Sequence, residues 1–178
     1  MHTMPIQEII DRVENKFINR YHMFCKSLAK LKKSRSADLA ADFVLEGTVL
    51  NFNLTFDIAW KVMKDILIKK MGIIDFAVGS PRETLQQAFV NRLIDDDRWM
   101  QMLRVRNQLA HDYDGSFAEE QFERIVNEFY PLFEKFRLSA EKYYKEGSVS
   151  YLTGILKKDY DLDEVKSESM REKYGLAD

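Results

Sequence analysis

The segment Arg106-Asn107-Gln108-Leu109-Ala110-His111-Asp112-Tyr113 gathers a permanent cation, an amide, an imidazole and a phenol within eight residues. A guanidinium can hold a phosphate through a planar two-pronged contact, and an imidazole exchanges protons near neutral pH. Together they suit chemistry on a phosphodiester. The same residues also fit a surface arginine and a satisfied histidine, so the elements that carry them must decide between the two.

Read as a helix, the region puts Trp99, Leu103, Arg106, Ala110 and Tyr113 on one stripe and Met100, Arg104, Asn107 and His111 on the next. Arg106 therefore interrupts an apolar face, which is costly unless the guanidinium is paired, lines a cleft or lies at a subunit interface. Five residues of helix rotate His111 about 140° away from Arg106, so a straight helix separates them. A kinked helix end, or a second copy of the motif across a two-fold axis, would bring them together, and a homodimer is expected on that ground. Asp95-Asp96-Asp97 is expected to cap this helix, because carboxylates complement the positive end of its dipole. A metal site there is disfavoured, since consecutive aspartates at a helix start diverge.

The remaining elements read mainly as helices. Ile6, Ile9, Ile10, Val13, Phe17, Tyr21, Phe24, Leu28 and Leu31 recur at steps of three and four, the spacing of one helical face. A polar loop at Lys32-Lys33-Ser34-Arg35-Ser36 ends that helix. From Leu39 to Met71 only Gly47 disturbs a second helical run, with Gly72 placed as the residue after a helix C-terminus. Leu50, Phe52, Leu54, Phe56 and Ile58 alternate with polar residues, a period of two that points to a strand. No second strand is available to pair with it, so the segment is expected to be helical, apolar on more than one face and central, with Asp57 and Lys61 as an i,i+4 pair. Ser80-Pro81-Arg82-Glu83 has the pattern of a capping box and proline start for a helix that turns Leu85, Ala88 and Phe89 to the core. Ser116 with Glu119 offers another box, for a last helix carrying Phe122, Ile125, Val126, Phe129, Phe133 and Phe136. Pro131 is expected to bend or split it.

At 178 residues, with 46% apolar and 12% aromatic side chains, the chain can bury a core as one domain over residues 1–146. The fold expected is an all-α antiparallel up-and-down bundle of four to five helices. Residues 147–178 mix charge with scattered Tyr151, Leu152, Ile155 and Tyr160, and read as a docking tail, ordered on a partner or on a second protomer. A net charge of −2 gives no global basic footprint, so any RNA contact must be local. One cysteine and three histidines offer no zinc constellation, and Cys25 reads as a small buried hydrophobe. No stretch approaches a membrane span and the first ten residues do not resemble a secretion signal, so a cytoplasmic protein is expected.

Arg106-x4-His111-x-Tyr113 resembles the signature of the HEPN superfamily in the form that accompanies minimal nucleotidyltransferases. Phe56 to Asp65, Ser80-Pro81-Arg82-Glu83 and Asp97 to Leu103 are similar to the corresponding blocks of the nucleotidyltransferase substrate-binding proteins, in the same order and at fitting spacing. The resemblance spans roughly residues 6 to 145 and does not reach the tail. It implies a HEPN-like bundle paired with a minimal nucleotidyltransferase, and it matches Arg106 and His111 to a pair implicated in metal-independent RNA cleavage. Asn107 would then hold the imidazole or bind phosphate, and no cofactor would be required. It further implies Tyr113 as a residue onto which the nucleotidyltransferase transfers AMP, silencing a ribonuclease toxin. The family name equally implies a non-catalytic subunit that binds substrate or nucleotide. An orphan structural bundle is the third reading, and it leaves Arg106 unexplained.

Overall fold

The structure, a computed structural model, describes residues 5–73, 79–111 and 115–145. Every regular element among them is helical: α1 (Ile6–Lys33) with a 3₁₀ turn at Ser34–Ser36, α2 (Val44–Lys69), α3 (Pro81–Val90), α4 (Arg98–Leu109), α5 (Ser116–Arg124), a π turn over Ile125–Phe129, and α6 (Tyr130–Lys145). The result is an all-α bundle in which α2 is central, meeting α1, α3, α4, α5 and α6. Residues 147–178, expected to dock on a partner or a second protomer, lie outside the described residues, as does Tyr113.

Residues 50–60 are helical, and their burial explains the period-two pattern. Phe52, Phe56 and Ala59 are fully buried and Ile58 nearly so, because α2 is enclosed on several sides. Its polar residues at buried positions are satisfied. The Thr55 hydroxyl lies 2.7 Å from that of Ser27 on α1 and donates to the Asn51 carbonyl. The Thr48 hydroxyl makes a similar contact, at 2.8 Å, with Ser34. Around this axis the aromatic core closes: Trp99 meets Phe133 and Phe136 edge-on at 5.3 and 5.9 Å, and Phe52 stacks on Phe129 at 5.7 Å.

Several boundaries differ from the sequence reading, each for a local reason. α2 starts at Val44 rather than near Leu39, because residues 39–43 form turns and Phe43 adopts a left-handed backbone (φ 66°). Gly72 (φ 69°) does follow the helix, where the Ile73 N–H reaches back to the Leu67 carbonyl. α1 outruns the helices it packs on, so Ile6, Ile9 and Val13 are exposed while Phe17, Phe24, Leu28 and Leu31 are buried. Phe89 is half exposed rather than in the core, and Cys25 is only partly buried. Gly115 (φ 79°) takes the cap position of α5, which leaves Ser116 as its first helical residue. Ahead of Pro131 the chain widens into the π turn, with the Tyr130 N–H bonded to the Ile125 carbonyl. The extra residue accommodates a proline that has no N–H to give, and it splits the last helix as expected.

Candidate functional site

α2 and α4 build the site between them, and α3 closes its edge. Burial of Phe56, Ile58 and Ala59 turns Asp57 outward from α2, while burial of Met102, Leu103, Val105 and Leu109 fixes the rotation of α4. Arg106 is thereby aimed at α2. Its Nε and Nη2 donate to the two oxygens of Asp57 at 3.1 and 2.8 Å, and its Nη1 faces the Asn107 side-chain oxygen at 3.4 Å. The cost of a cation on an apolar stripe is thus met by a two-pronged ion pair, with both side chains about a third exposed (34% and 33%). Asp57 therefore pairs with Arg106 and not with Lys61, whose ammonium lies 5.6 Å from the Trp60 ring centre. Distance in sequence hid that partner.

The pair lies in a cleft of about 200 Å³. Phe56, Trp60 and Leu103 give it apolar walls, and Asp57, Lys61, Arg106 and Asn107 give it charge and hydrogen-bonding groups. Pro81 forms the edge, fixed by the expected capping box: the Ser80 hydroxyl accepts from the Glu83 N–H, and the Glu83 carboxylate accepts from the Ser80 N–H at 2.8 Å.

His111 stands apart. α4 ends at Leu109, and the His111 N–H donates to the Gln108 carbonyl at 2.9 Å, tightening the chain into a turn. The imidazole is exposed and does not line the cleft, and no hydrogen bond joins it to Arg106. Within one chain, therefore, Arg106 and Asn107 come together with Asp57, and His111 does not join them. The residues missed by sequence reasoning are Asp57 as the partner of Arg106, and Trp60 and Lys61 as cleft walls. A carboxylate flanked by apolar residues in the central helix was the available signal, since it calls for a cation from another element.

The three aspartates before α4 divide their roles differently from the expected cap. Asp96, not Asp97, accepts from the Arg98 N–H at 2.9 Å and forks onto the Arg98 guanidinium. That bonding holds the Asp96 carboxyl below the usual carboxylate range. Asp95 pairs with Lys135 at 2.6 Å, so the carboxylates point to separate cations. Among the described residues no three His, Cys, Asp or Glu side chains converge as metal ligands, and no helix is long and apolar enough to cross a membrane.

The described residues thus form an all-α bundle with an arginine clamped between α2 and α4. Residues 8–142 match the family described as nucleotidyltransferase substrate binding protein like, and with most of its length covered the chain belongs to that family. Compared with curated proteins, the chain gives no match. The family implies an association with a nucleotidyltransferase.

Proposed function

We propose that this protein is the HEPN-type partner of a minimal nucleotidyltransferase in a toxin–antitoxin pair, acting as a metal-independent endoribonuclease silenced by AMP transfer to Tyr113. The observation that carries the reading is the forked Asp57–Arg106 contact. Asp57 occupies one edge of the guanidinium and fixes its plane, leaving the Nη1 side beside Asn107 to meet a phosphate oxygen. An arginine oriented in this way is a placed donor, worth more to a developing charge than a mobile cation on the surface.

In the reaction, the imidazole of His111 takes the proton of a ribose 2′-hydroxyl as that oxygen bonds to the adjacent phosphorus. Arg106 steadies the pentacoordinate phosphorane. The P–O5′ bond then breaks and its oxygen takes a proton from an imidazolium, which leaves a 2′,3′-cyclic phosphate and a 5′-hydroxyl. The nucleophile belongs to the substrate, so neither a metal nor a cofactor is required. Because His111 and Arg106 are apart in one chain, the working site is the composite cleft of a homodimer, in which each copy's exposed imidazole faces the other's arginine. AMP on Tyr113 would place an anionic phosphodiester where substrate phosphate belongs.

Two observations favour a second reading. Arg106 already carries a carboxylate, and His111 lies outside the cleft, as in a subunit that binds substrate or nucleotide for the nucleotidyltransferase without catalysis.

Incubating the partner-free, unmodified protein with end-labelled RNA in EDTA tests the choice. Cleavage with cyclic-phosphate ends is expected, lost in both His111→Ala and Arg106→Ala with helical content unchanged. A wild-type protein that neither cleaves RNA nor slows growth gives the binding-subunit reading its place. Incubation with the cognate nucleotidyltransferase, ATP and Mg2+ should add AMP to Tyr113, and Tyr113→Phe should remain toxic beside its partner. Neutralisation of Tyr113→Phe as complete as that of wild type would remove the modification from the account.

A further inference from the structure

Beside the Arg106 cleft runs a second, larger depression of about 680 Å³ between α1 and α2. Arg12, Lys16 and Arg20 enter it from α1, four residues apart, and Lys61 enters it from α2. Asn15 and Asn19 stand between the cations, Met23 and Ile58 give it an apolar patch, and no carboxylate lines it. In a chain with a net charge of −2 this is a local segregation of positive charge.

The groove and the cleft are neighbours that share a wall. Lys61 lines both. Asp57, Lys61 and Asp65 also follow one another at four-residue steps along α2, and each aspartate holds an arginine from another helix: Asp57 holds Arg106 and Asp65 holds Arg20. Arg106, Lys61 and Arg20 therefore form a row, with α2 advancing about 6 Å at each step. Lys16 and Arg12 extend the row along α1 at the same helical interval. One cation per helical turn approximates the phosphate repeat of an extended nucleotide strand.

We infer that this groove is a phosphate track that holds single-stranded RNA on one side of the Arg106 cleft. The inference rests on the proposed ribonuclease reading for what happens in the cleft, and it adds that the substrate is a strand of several nucleotides rather than a mononucleotide or dinucleotide. The cations take backbone phosphates. The amides of Asn15 and Asn19 reach sugar or base edges, and Met23 with Ile58 offers apolar contact to an unstacked base. Asp65 and the partly exposed Asp57 hold Arg20 and Arg106 in place, so the track is ordered before RNA arrives. An acidic protein surface would be the rival occupant, but it needs no regular spacing of cations and no wall shared with the cleft.

The test uses the full chain and 2′-O-methyl RNA oligonucleotides, which lack the attacking hydroxyl and report binding alone. Affinity should rise with length up to about five nucleotides, the number of cations in the row. Arg12→Ser/Lys16→Ser changes only exposed side chains, so its thermal melt should match wild type. It should bind long oligonucleotides on the order of tenfold more weakly and leave dinucleotide binding unchanged. The slope of log affinity against log salt should fall by about 1.4, or about 0.7 for each lost phosphate contact. Equal binding by the double variant and wild type, or no RNA binding by wild type, overturns the track. So does a double variant that keeps its RNA affinity and loses its hold on the nucleotidyltransferase, which would make the groove a protein contact. If binding follows the predicted pattern but unmodified RNA is never cut, the track stands and the ribonuclease reading alone falls.

Discussion

Replacing Asp57 and Arg106 by alanine, singly and together, measures whether the carboxylate fixes the guanidinium. Two charge-assisted hydrogen bonds of 2.8 and 3.1 Å join them, which is favourable geometry, but each side chain is about a third exposed and water screens the pair. Exposed pairs are worth a few tenths of a kcal/mol to about 1 kcal/mol, and the forked geometry places this one at the upper end. The coupling energy of the double-mutant cycle is therefore expected at about 1 kcal/mol, roughly fivefold in the folding equilibrium. The paired interaction should shift the melting temperature by about 2–4 °C in a chain of this size. Urea unfolding followed by circular dichroism at low and high salt supplies the cycle, and the coupling should shrink as salt screens the partly exposed charges. A coupling below about 0.3 kcal/mol would show that Asp57 does not hold Arg106 in solution, and Arg106 would no longer stand as an oriented hydrogen-bond donor to phosphate.

Two further perturbations probe the frame of the site. Trp99→Ala empties the edge-on aromatic contacts with Phe133 and Phe136 at the start of α4, and it should cost about 3–5 kcal/mol in urea unfolding; a loss below about 1 kcal/mol would mean that Trp99 does not anchor that helix. At alkaline pH, burial first and the Glu134 carboxylate second raise the Tyr130 phenol from 10.0 to about 12, and burial likewise raises Tyr21 and Tyr144. The neutral form is favoured in the folded state. The stabilisation is therefore complete below the unfolded-state pKa of 10.0 and is lost progressively towards about 12 and above. Tyrosinate absorbance should show these phenols ionising only together with loss of helical signal, and three freely titrating phenols in a folded chain would contradict their burial.

Much of the fold was legible because helical periodicity and burial agree. The buried positions Phe17, Phe24, Leu28 and Leu31 on α1 carry the predicted spacing, and the Ser80 capping box forms as its residue types require. Residues 50–60 needed an argument beyond periodicity, since a helix enclosed on several sides loses its amphipathic signature and can imitate a strand. The site was legible in composition and not in geometry. Arg106 on an apolar stripe announced a partner, but nothing in the order of residues tells Asp57 to take the arginine 49 positions later rather than the lysine one turn away. The exposed ends were read less well. Ile6, Ile9, Val13 and Phe89 have the right period for a core face, and only the extents of the neighbouring helices decide whether anything covers them.

The central place of α2 has a kinetic consequence for the site. A helix that meets five others loses its backbone hydrogen bonds only when the whole bundle opens, so its amides should be among the last to exchange with solvent. Asp57 rides on that slow element. His111 lies beyond the end of α4 in an exposed turn, where opening requires little more than breaking the bond from its N–H to Gln108. Asp57 and His111 thus sit at opposite ends of the chain's exchange spectrum: a backbone position that opens only as rarely as the bundle unfolds, and an exposed turn whose geometry can be adjusted without disturbing the core.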